Sequence, residues 1–191
     1  MKRIAVFASG AGTNAKRLIE YFDPSTGSGR QNGQVTLLVS NRADAGVVKI
    51  ANDSGVETLI ISKEHFFGDQ SIVAGLKERG IDLIVLAGFL WLIPVAVIKA
   101  FPDRIVNIHP ALLPKFGGKG MYGKKVHEAV LAAGEKESGI TVHFVNEHFD
   151  EGEHIAQFSC VVNADDTVES LAARIQSLEH KHFAEVVEKL L

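Results

Sequence analysis

The residues whose types and spacing could do chemistry lie in the stretch Arg104-Ile105-Val106-Asn107-Ile108-His109-Pro110. The stretch reads as a short buried strand. Asn107 and His109 are two positions apart, so on an extended backbone they share one face, while Val106 and Ile108 take the other. Pro110 cannot donate to a sheet ladder, so the strand ends there or runs along an edge. An amide and an imidazole side by side at the carboxyl end of a strand can stabilise a developing negative charge and move a proton. Alone, such a pair reads as polar groups satisfying nearby backbone. Other features of the chain change that weighing.

Ser9-Gly10-Ala11-Gly12-Thr13-Asn14 interrupts an apolar run from Ile4 to Ala8 and leads into helical spacing at Ala15, Leu18, Ile19 and Phe22. A strand, a glycine turn and a helix start bring free N–H groups and the helix dipole together, a natural anion site. It matches neither the dinucleotide fingerprint nor the lysine-bearing phosphate loop, and a plain tight turn explains the glycines equally well. Gly88-Phe89-Leu90-Trp91-Leu92-Ile93-Pro94 extends the Leu83–Ala87 strand with an apolar tail that reads as core or as a wall for a flat ring. Pro114 to Lys125 holds four glycines and four lysines, the composition of a cationic flap or of a surface loop. His143, His148, Asp150 and His154 could suggest metal ligands, but their spacing fits no recognised site.

The elements that must position these groups alternate along the chain. Strands are expected at residues 4–8, 35–39, 56–61, 83–87, 104–109, 140–145 and 155–162. Helices are expected after Thr13, over Gly46–Asp53, around Ile72 and Leu76, over Val97–Ala100 and over Val126–Ala133. A long last helix is expected to open with a capping box, Asp166-x-x-Glu169. Its apolar stripe runs from Val168 to Leu190, with Gln176 and Glu179 on the flank. Pro24 to Gly33 is expected to be a mobile polar loop. This alternation predicts an α/β fold with a doubly wound, mostly parallel sheet and helices on both faces. Ligands bind such folds beyond the carboxyl ends of the strands, where the glycine turn, the Phe89–Ile93 segment and the Asn107/His109 pair all fall.

At 191 residues, 46% hydrophobic and 23% charged, the chain suits one globular domain over 1–191. A net charge of −3 gives no general drive toward nucleic acid or an anionic membrane. No run approaches the roughly 20 apolar residues of a membrane span. The N-terminus reads as a first strand rather than a leader, so a cytoplasmic protein is expected. The single cysteine, Cys160, excludes an intramolecular disulfide and is expected as a buried small hydrophobe.

Four strings in one order, Ser9-Gly10-x-Gly12-Thr13-Asn14, Ala87-Gly88-Phe89, Asn107-Ile108-His109-Pro110-x-Leu112-Leu113-Pro114 and Val142-His143-x-Val145-x-x-x-x-Asp150-x-Gly152, carry a resemblance over nearly the whole chain. It resembles the phosphoribosylglycinamide formyltransferases, folate-dependent enzymes of purine synthesis with a Rossmann-related fold. The resemblance implies that Asn107, His109 and Asp150 are catalytic. It implies that Gly12, Thr13 and Asn14 hold a ribose phosphate, and that Gln176 and Glu179 hold the glycinamide and ribose end. The pterin of 10-formyltetrahydrofolate, a co-substrate, would lie against Leu90, Trp91, Leu92 and Ile93 and against the turn bearing His143, Val145 and Asp150. The chain departs from the familiar pattern at Trp91, where arginine is usual, at Glu151, and in a longer glycine-lysine flap.

The implied partners are glycinamide ribonucleotide and the folate, with no metal, nucleic acid or membrane, in a monomer or homodimer. Residues to about 100 would form the phosphate-binding half, and those from about 101 the catalytic and folate-binding half. Relatives acting on methionyl-tRNA or hydrolysing formyltetrahydrofolate are expected to carry an added C-terminal or N-terminal domain, and a chain of either kind is not the expectation here. A dinucleotide oxidoreductase would leave Asn107, His109 and Asp150 without a role and would want the missing dinucleotide fingerprint, and a non-catalytic nucleotide-binding module is the alternative outside the enzymes.

Overall fold

The computed structural model describes residues 1–26, 32–68 and 71–191. Half of the loop expected to be mobile over 24–33, residues 27–31, lies outside those described. Among the described residues seven strands form one sheet: β1 (Lys2–Phe7), β2 (Gly33–Ser40), β3 (Glu57–Ile60), β4 (Leu83–Leu86), β5 (Ile105–His109), β6 (Glu137–Phe144) and β7 (His154–Val161), in the order β3-β2-β1-β4-β5-β6-β7. The five strands from β3 to β5 run parallel, and β6 and β7 add antiparallel. The strand order reverses between β1 and β4, which leaves a crevice beyond their carboxyl ends. Both the glycine turn after β1 and the apolar segment after β4 open into it, tied by Ser9 N–H donating to the Gly88 carbonyl at 3.1 Å.

Among the described residues seven α-helices cover the sheet: α1 (Thr13–Tyr21), α2 (Gly46–Asp53), α3 (Lys63–Phe67), α4 (Ser71–Glu78), α5 (Val95–Ala100), α6 (Lys124–Ala132) and α7 (Val168–Glu188). The continuous apolar run of β1 is explained by burial on both faces. Ile4 and Val6 pack with residues of α1, α2, α6 and α7, whereas Ala5 and Phe7 pack with Phe66, Leu76 and Val97 of α3, α4 and α5. The expected doubly wound architecture is therefore the observed one.

Several boundaries differ for physical reasons. α3 was not expected; its Ser62 hydroxyl accepts from His65 N–H and Phe66 is its one buried anchor, a signal too short to show as periodicity. α6 begins at Lys124, so the last two residues of the flap are helical. The capping box of α7 is formed by Thr167 and Ser170 rather than by Asp166 and Glu169. Thr167 N–H donates to Ser170 Oγ at 2.9 Å and Ser170 N–H to Thr167 Oγ1 at 3.2 Å. Asp166 is instead taken by the Arg174 guanidinium at 2.6 and 2.9 Å, which holds its carboxyl far below the usual range. Cys160 is half-buried on the edge strand β7, where exposure alternates along the strand, and not enclosed as expected. Partial burial raises its thiol pKa, away from nucleophilic character.

Candidate active site

β5 carries Asn107 and His109 on one face, and the register of β6 decides what they meet. Asn107 stands opposite His143 and His109 opposite Thr141. Cross-strand neighbours share a face, so Asn107 Nδ2 comes to 3.0 Å from His143 Nε2. His143 Nδ1 lies 2.8 Å from the Phe144 carbonyl, which only accepts. The Nδ1 proton is thereby assigned, and Nε2 accepts from Asn107. Thr141 is buried and occupied: its hydroxyl donates to the Ala111 carbonyl and accepts from Leu113 N–H, pinning the Pro110–Leu113 turn.

Asp150 arrives from the turn after β6. Its φ of +58° is left-handed, a conformation asparagine and aspartate tolerate better than most side chains. The turn closes hard on the strand end, since a Cβ at Gly152 would lie 1.7 Å from the Phe144 oxygen. This folding back places the carboxylate beside the two strand residues. Oδ1 accepts from Asn107 at 3.4 Å, and Oδ2 accepts from Gly118 N–H at 2.9 Å and lies 3.4 Å from His109 Nδ1. His143 Nε2 stands 3.6 Å from Oδ1. The expected trio is thus one network, with His143 as a fourth member rather than only a ring wall.

His109 is 3% exposed. Its Nε2 donates to the Phe116 carbonyl at 2.8 Å, so the proton that comes and goes sits on Nδ1, facing Asp150. Burial lowers the imidazole pKa, and the Asp150 carboxylate and the Phe116 carbonyl oppose that fall. Burial pushes the Asp150 carboxyl up, but its pKa is held on the low side by the facing His109 and the hydrogen bond from Gly118 N–H, among other contacts.

Across the crevice, α1 starts at Gly12, whose φ is +81°; a Cβ there would lie 2.6 Å from Val47. No side chain caps this helix end, which leaves its first N–H groups facing the crevice. The α7 residues foreseen on the flank pack directly on it. Gln176 Nε2 donates to Thr13 Oγ1 at 3.2 Å, and Asn14 Nδ2 donates to Glu179 Oε2 at 2.9 Å. Burial raises the Glu179 carboxyl pKa, and the Asn14 hydrogen bond partly offsets this. Asn14 Oδ1 is buried with no hydrogen-bond partner among the described residues.

The apolar wall follows β4. Trp91 packs on Phe66, Phe67 and Phe89 with ring centroids 5.6 to 6.1 Å apart, and Ile93 is buried. Leu90 N–H donates to Ser9 Oγ at 3.1 Å, locking the wall to the glycine turn. All fourteen residues singled out from the sequence line one cavity of about 840 Å³. That volume suits a drug-sized ligand.

Ser9, the first residue of the glycine turn, is buried. Sequence reasoning missed three contributors. His127 on α6 lines the cavity at 6% exposure with Nδ1 unpartnered among the described residues, and burial and His109 lower its pKa. The backbones of Phe116 and Gly118 had no sequence signal as partners. Among the described residues no group of three or more His, Cys, Asp or Glu is arranged to hold a metal ion, and no helix is long and apolar enough to cross a membrane.

Similarity to known proteins agrees with this geometry. The sequence pattern of the formyl transferase family matches residues 2–187. The chain is 46% identical over 191 residues to the chloroplastic phosphoribosylglycinamide formyltransferase of Arabidopsis thaliana, spanning 97% of this chain and 64% of that protein. It spans less than two thirds of the length of the three plant relatives it matches, at 64%, 61% and 63%. The phosphoribosylglycinamide formyltransferase of Bacillus subtilis is 33% identical over 195 residues, spanning 100% of this chain and 95% of that one. A crystal structure of the enzyme of that name from Bacillus halodurans superposes with a TM-score of 0.87 at 35% identity, covering 100% of this chain and 95% of the other. The chain belongs to the formyl transferase family, among the phosphoribosylglycinamide formyltransferases.

Proposed function

We propose that the protein transfers the formyl group of 10-formyltetrahydrofolate to the amine of glycinamide ribonucleotide. The observation that carries this reading is the convergence of an amide, an imidazole and a carboxylate on a cavity whose other end is the uncapped start of α1. The phosphate would take the open N–H groups of Gly12, Thr13 and Asn14. Gln176 and Glu179 would orient the ribose and glycinamide end, and the pterin would lie along Leu90–Ile93 with Val145.

The amine nitrogen attacks the formyl carbon, a C–N bond forms, and the carbonyl electron pair moves onto oxygen. Donors aimed at that oxyanion stabilise it more than the starting carbonyl. Asn107 has an N–H to offer, because its contact with Asp150 is long at 3.4 Å. The attacking nitrogen loses a proton and the folate N10 gains one as the old C–N bond breaks. His109 and Asp150 share one titrating proton and are placed to carry this transfer.

The test is incubation with 10-formyltetrahydrofolate, with and without glycinamide ribonucleotide, following tetrahydrofolate release and the mass of the acceptor. Release that requires the acceptor and formylates it is expected. Release with water alone would make the protein a hydrolase, and no release in either case would sink the reading. A cytoplasmic monomer or homodimer completes the proposal, tested by fractionation and sedimentation.

A further inference from the structure

The segment between the Pro110–Leu113 turn and α6 touches the catalytic pair only through its backbone. Phe116 presents its carbonyl to His109 Nε2 at 2.8 Å, and two residues later Gly118 donates its N–H to Asp150 Oδ2 at 2.9 Å. The segment bends tightly here, with Phe116 left-handed at φ +58° and Gly118 at φ +96°. Gly117 between them passes against the pair: a Cβ there would lie 2.5 Å from Leu113 Cδ2 and 3.2 Å from Asp150 Cβ. Leu113 is 5% exposed and cannot swing freely. Phe116 is partly buried and packs against the hydrophobic core, so the segment is anchored where it makes these contacts.

We propose that Phe116–Gly117–Gly118 is a backbone brace that holds His109 and Asp150 as a facing pair, with Gly117 as a positioning residue of the formyl-transfer site. The carbonyl keeps a proton on Nε2, so exchange is confined to Nδ1, and it favours the imidazolium. The Gly118 N–H favours the ionised carboxylate. Both contacts therefore stabilise the charge-separated form of the pair, and withdrawing the brace weakens it from both sides. The other titratable groups near His109 are His143 on β6 and His127 on α6. Lys119 before α6, Lys124 on it, Glu179 on α7 and Arg42 line the same cavity. The inference rests on the reading of His109 as the ionising group of formyl transfer, but its first test does not.

That test is ¹⁵N NMR of the imidazoles in the wild-type protein across pH. His109 should keep Nε2 protonated throughout and titrate at Nδ1; titration at Nε2 overturns the brace. The second test is Gly117→Ala, which pushes on Asp150 and moves the Phe116 carbonyl. The His109 midpoint should move to lower pH and the pH optimum for formyl transfer with it. At pH 7, kcat should fall about 10- to 100-fold, the scale expected for displaced catalytic groups, with KM for both substrates within about threefold. A fall in kcat with an unmoved His109 midpoint would leave the segment a passive cover and overturn the proposal.

Discussion

The two ends of the cavity are built on opposite plans. At the α1 end polar groups are left open: the helix has no side-chain cap, Asn14 Oδ1 has no partner among the described residues, and Gln176 and Glu179 each make one bond to α1. At the β5 end the polar groups are engaged with one another. Asn107 bonds His143 and Asp150, Asp150 also takes the Gly118 N–H, and His109 is fixed at Nε2. A buried polar group left unmade costs free energy until something pairs with it, so the first end is arranged to gain by taking a ligand. The second gains nothing by capture and is arranged to hold geometry and charge. Changes at the α1 end should therefore appear in binding, and changes at the β5 end in turnover.

The strongest way to break that comparison is Asp150→Asn. The variant keeps the size of the side chain and an oxygen for Gly118, but removes the charge facing His109 Nδ1 at 3.4 Å. Turnover should fall by roughly 10²–10⁴-fold, the range for losing an acid–base group, while calorimetric affinities for both substrates stay close to wild type. The sign of the pH effect follows from the forces on His109. Burial already lowers its pKa and Asp150 opposes this, so without the carboxylate the pKa falls further. Residual activity should therefore move to more acidic solution where the imidazolium is the working form. Near wild-type turnover would reduce the network to a structural cluster.

Thr13→Asp probes the other end. An acidic residue in the first turn of a helix is favourable to the helix, so the fold should be unharmed. It sets a negative charge where the substrate phosphate is proposed to lie. Affinity for glycinamide ribonucleotide should weaken by about 10- to 100-fold, the scale of one to two charge-assisted hydrogen bonds, with folate affinity unchanged. Equal loss for both ligands, or none, would dissolve the division between the two ends.

The two ends also differ in how legible they were. The glycine turn and the helix start were visible because each is marked locally, by glycine chemistry and helical spacing. Periodicity placed Gln176 and Glu179 only on the flank of a helix, and their role came from the resemblance. Asn107 and His109 were visible through strand parity. The resemblance placed His143 against the ring, and its further contact with Asn107 is set by the β5–β6 register, which no local pattern encodes. The capping box was misplaced for a related reason. Asp166-x-x-Glu169 satisfies the pattern, but Arg174 two turns along α7 claims Asp166 and leaves the cap to Thr167. The fold was legible from buried strands and helical spacing, whereas contacts made by the Phe116 and Gly118 backbones carry no side-chain signal at all.

The segment that touches the β5 end continues along the cavity. Beyond Gly118 it runs through exposed Lys119 and Gly120 and through Tyr122, 49% exposed, to α6, and Lys119, Met121 and Tyr122 line the cavity. Closure over an anionic substrate would use its lysines. Trypsin should cut after Lys119 in the free protein, and with both substrates bound the rate should fall about tenfold as the open population is depleted. Equal rates would leave the segment a fixed cover.

The smallest expected effect sharpens the comparison most, because it separates binding from stability within one residue. Glu179 accepts from Asn14 at 2.9 Å while burial raises its carboxyl pKa, so ionising it costs the folded state something. Below the unfolded pKa both states are protonated and the penalty is absent. As pH rises from the unfolded toward the folded value, the unfolded chain releases its proton first and stability falls, and above the folded value the whole penalty is present. Glu179→Gln keeps an oxygen for Asn14 without the charge. It should raise the melting temperature by about 1–3 °C at pH 8, on the scale of a small stability change in a chain of this size, and should leave it unchanged well below pH 4. The same variant should weaken glycinamide ribonucleotide binding, since the charge that strains the fold is the one proposed to meet the ligand. A melting temperature that falls at pH 8 would mean that Glu179 is held for structure, and the α1 end would then be no more open than the β5 end.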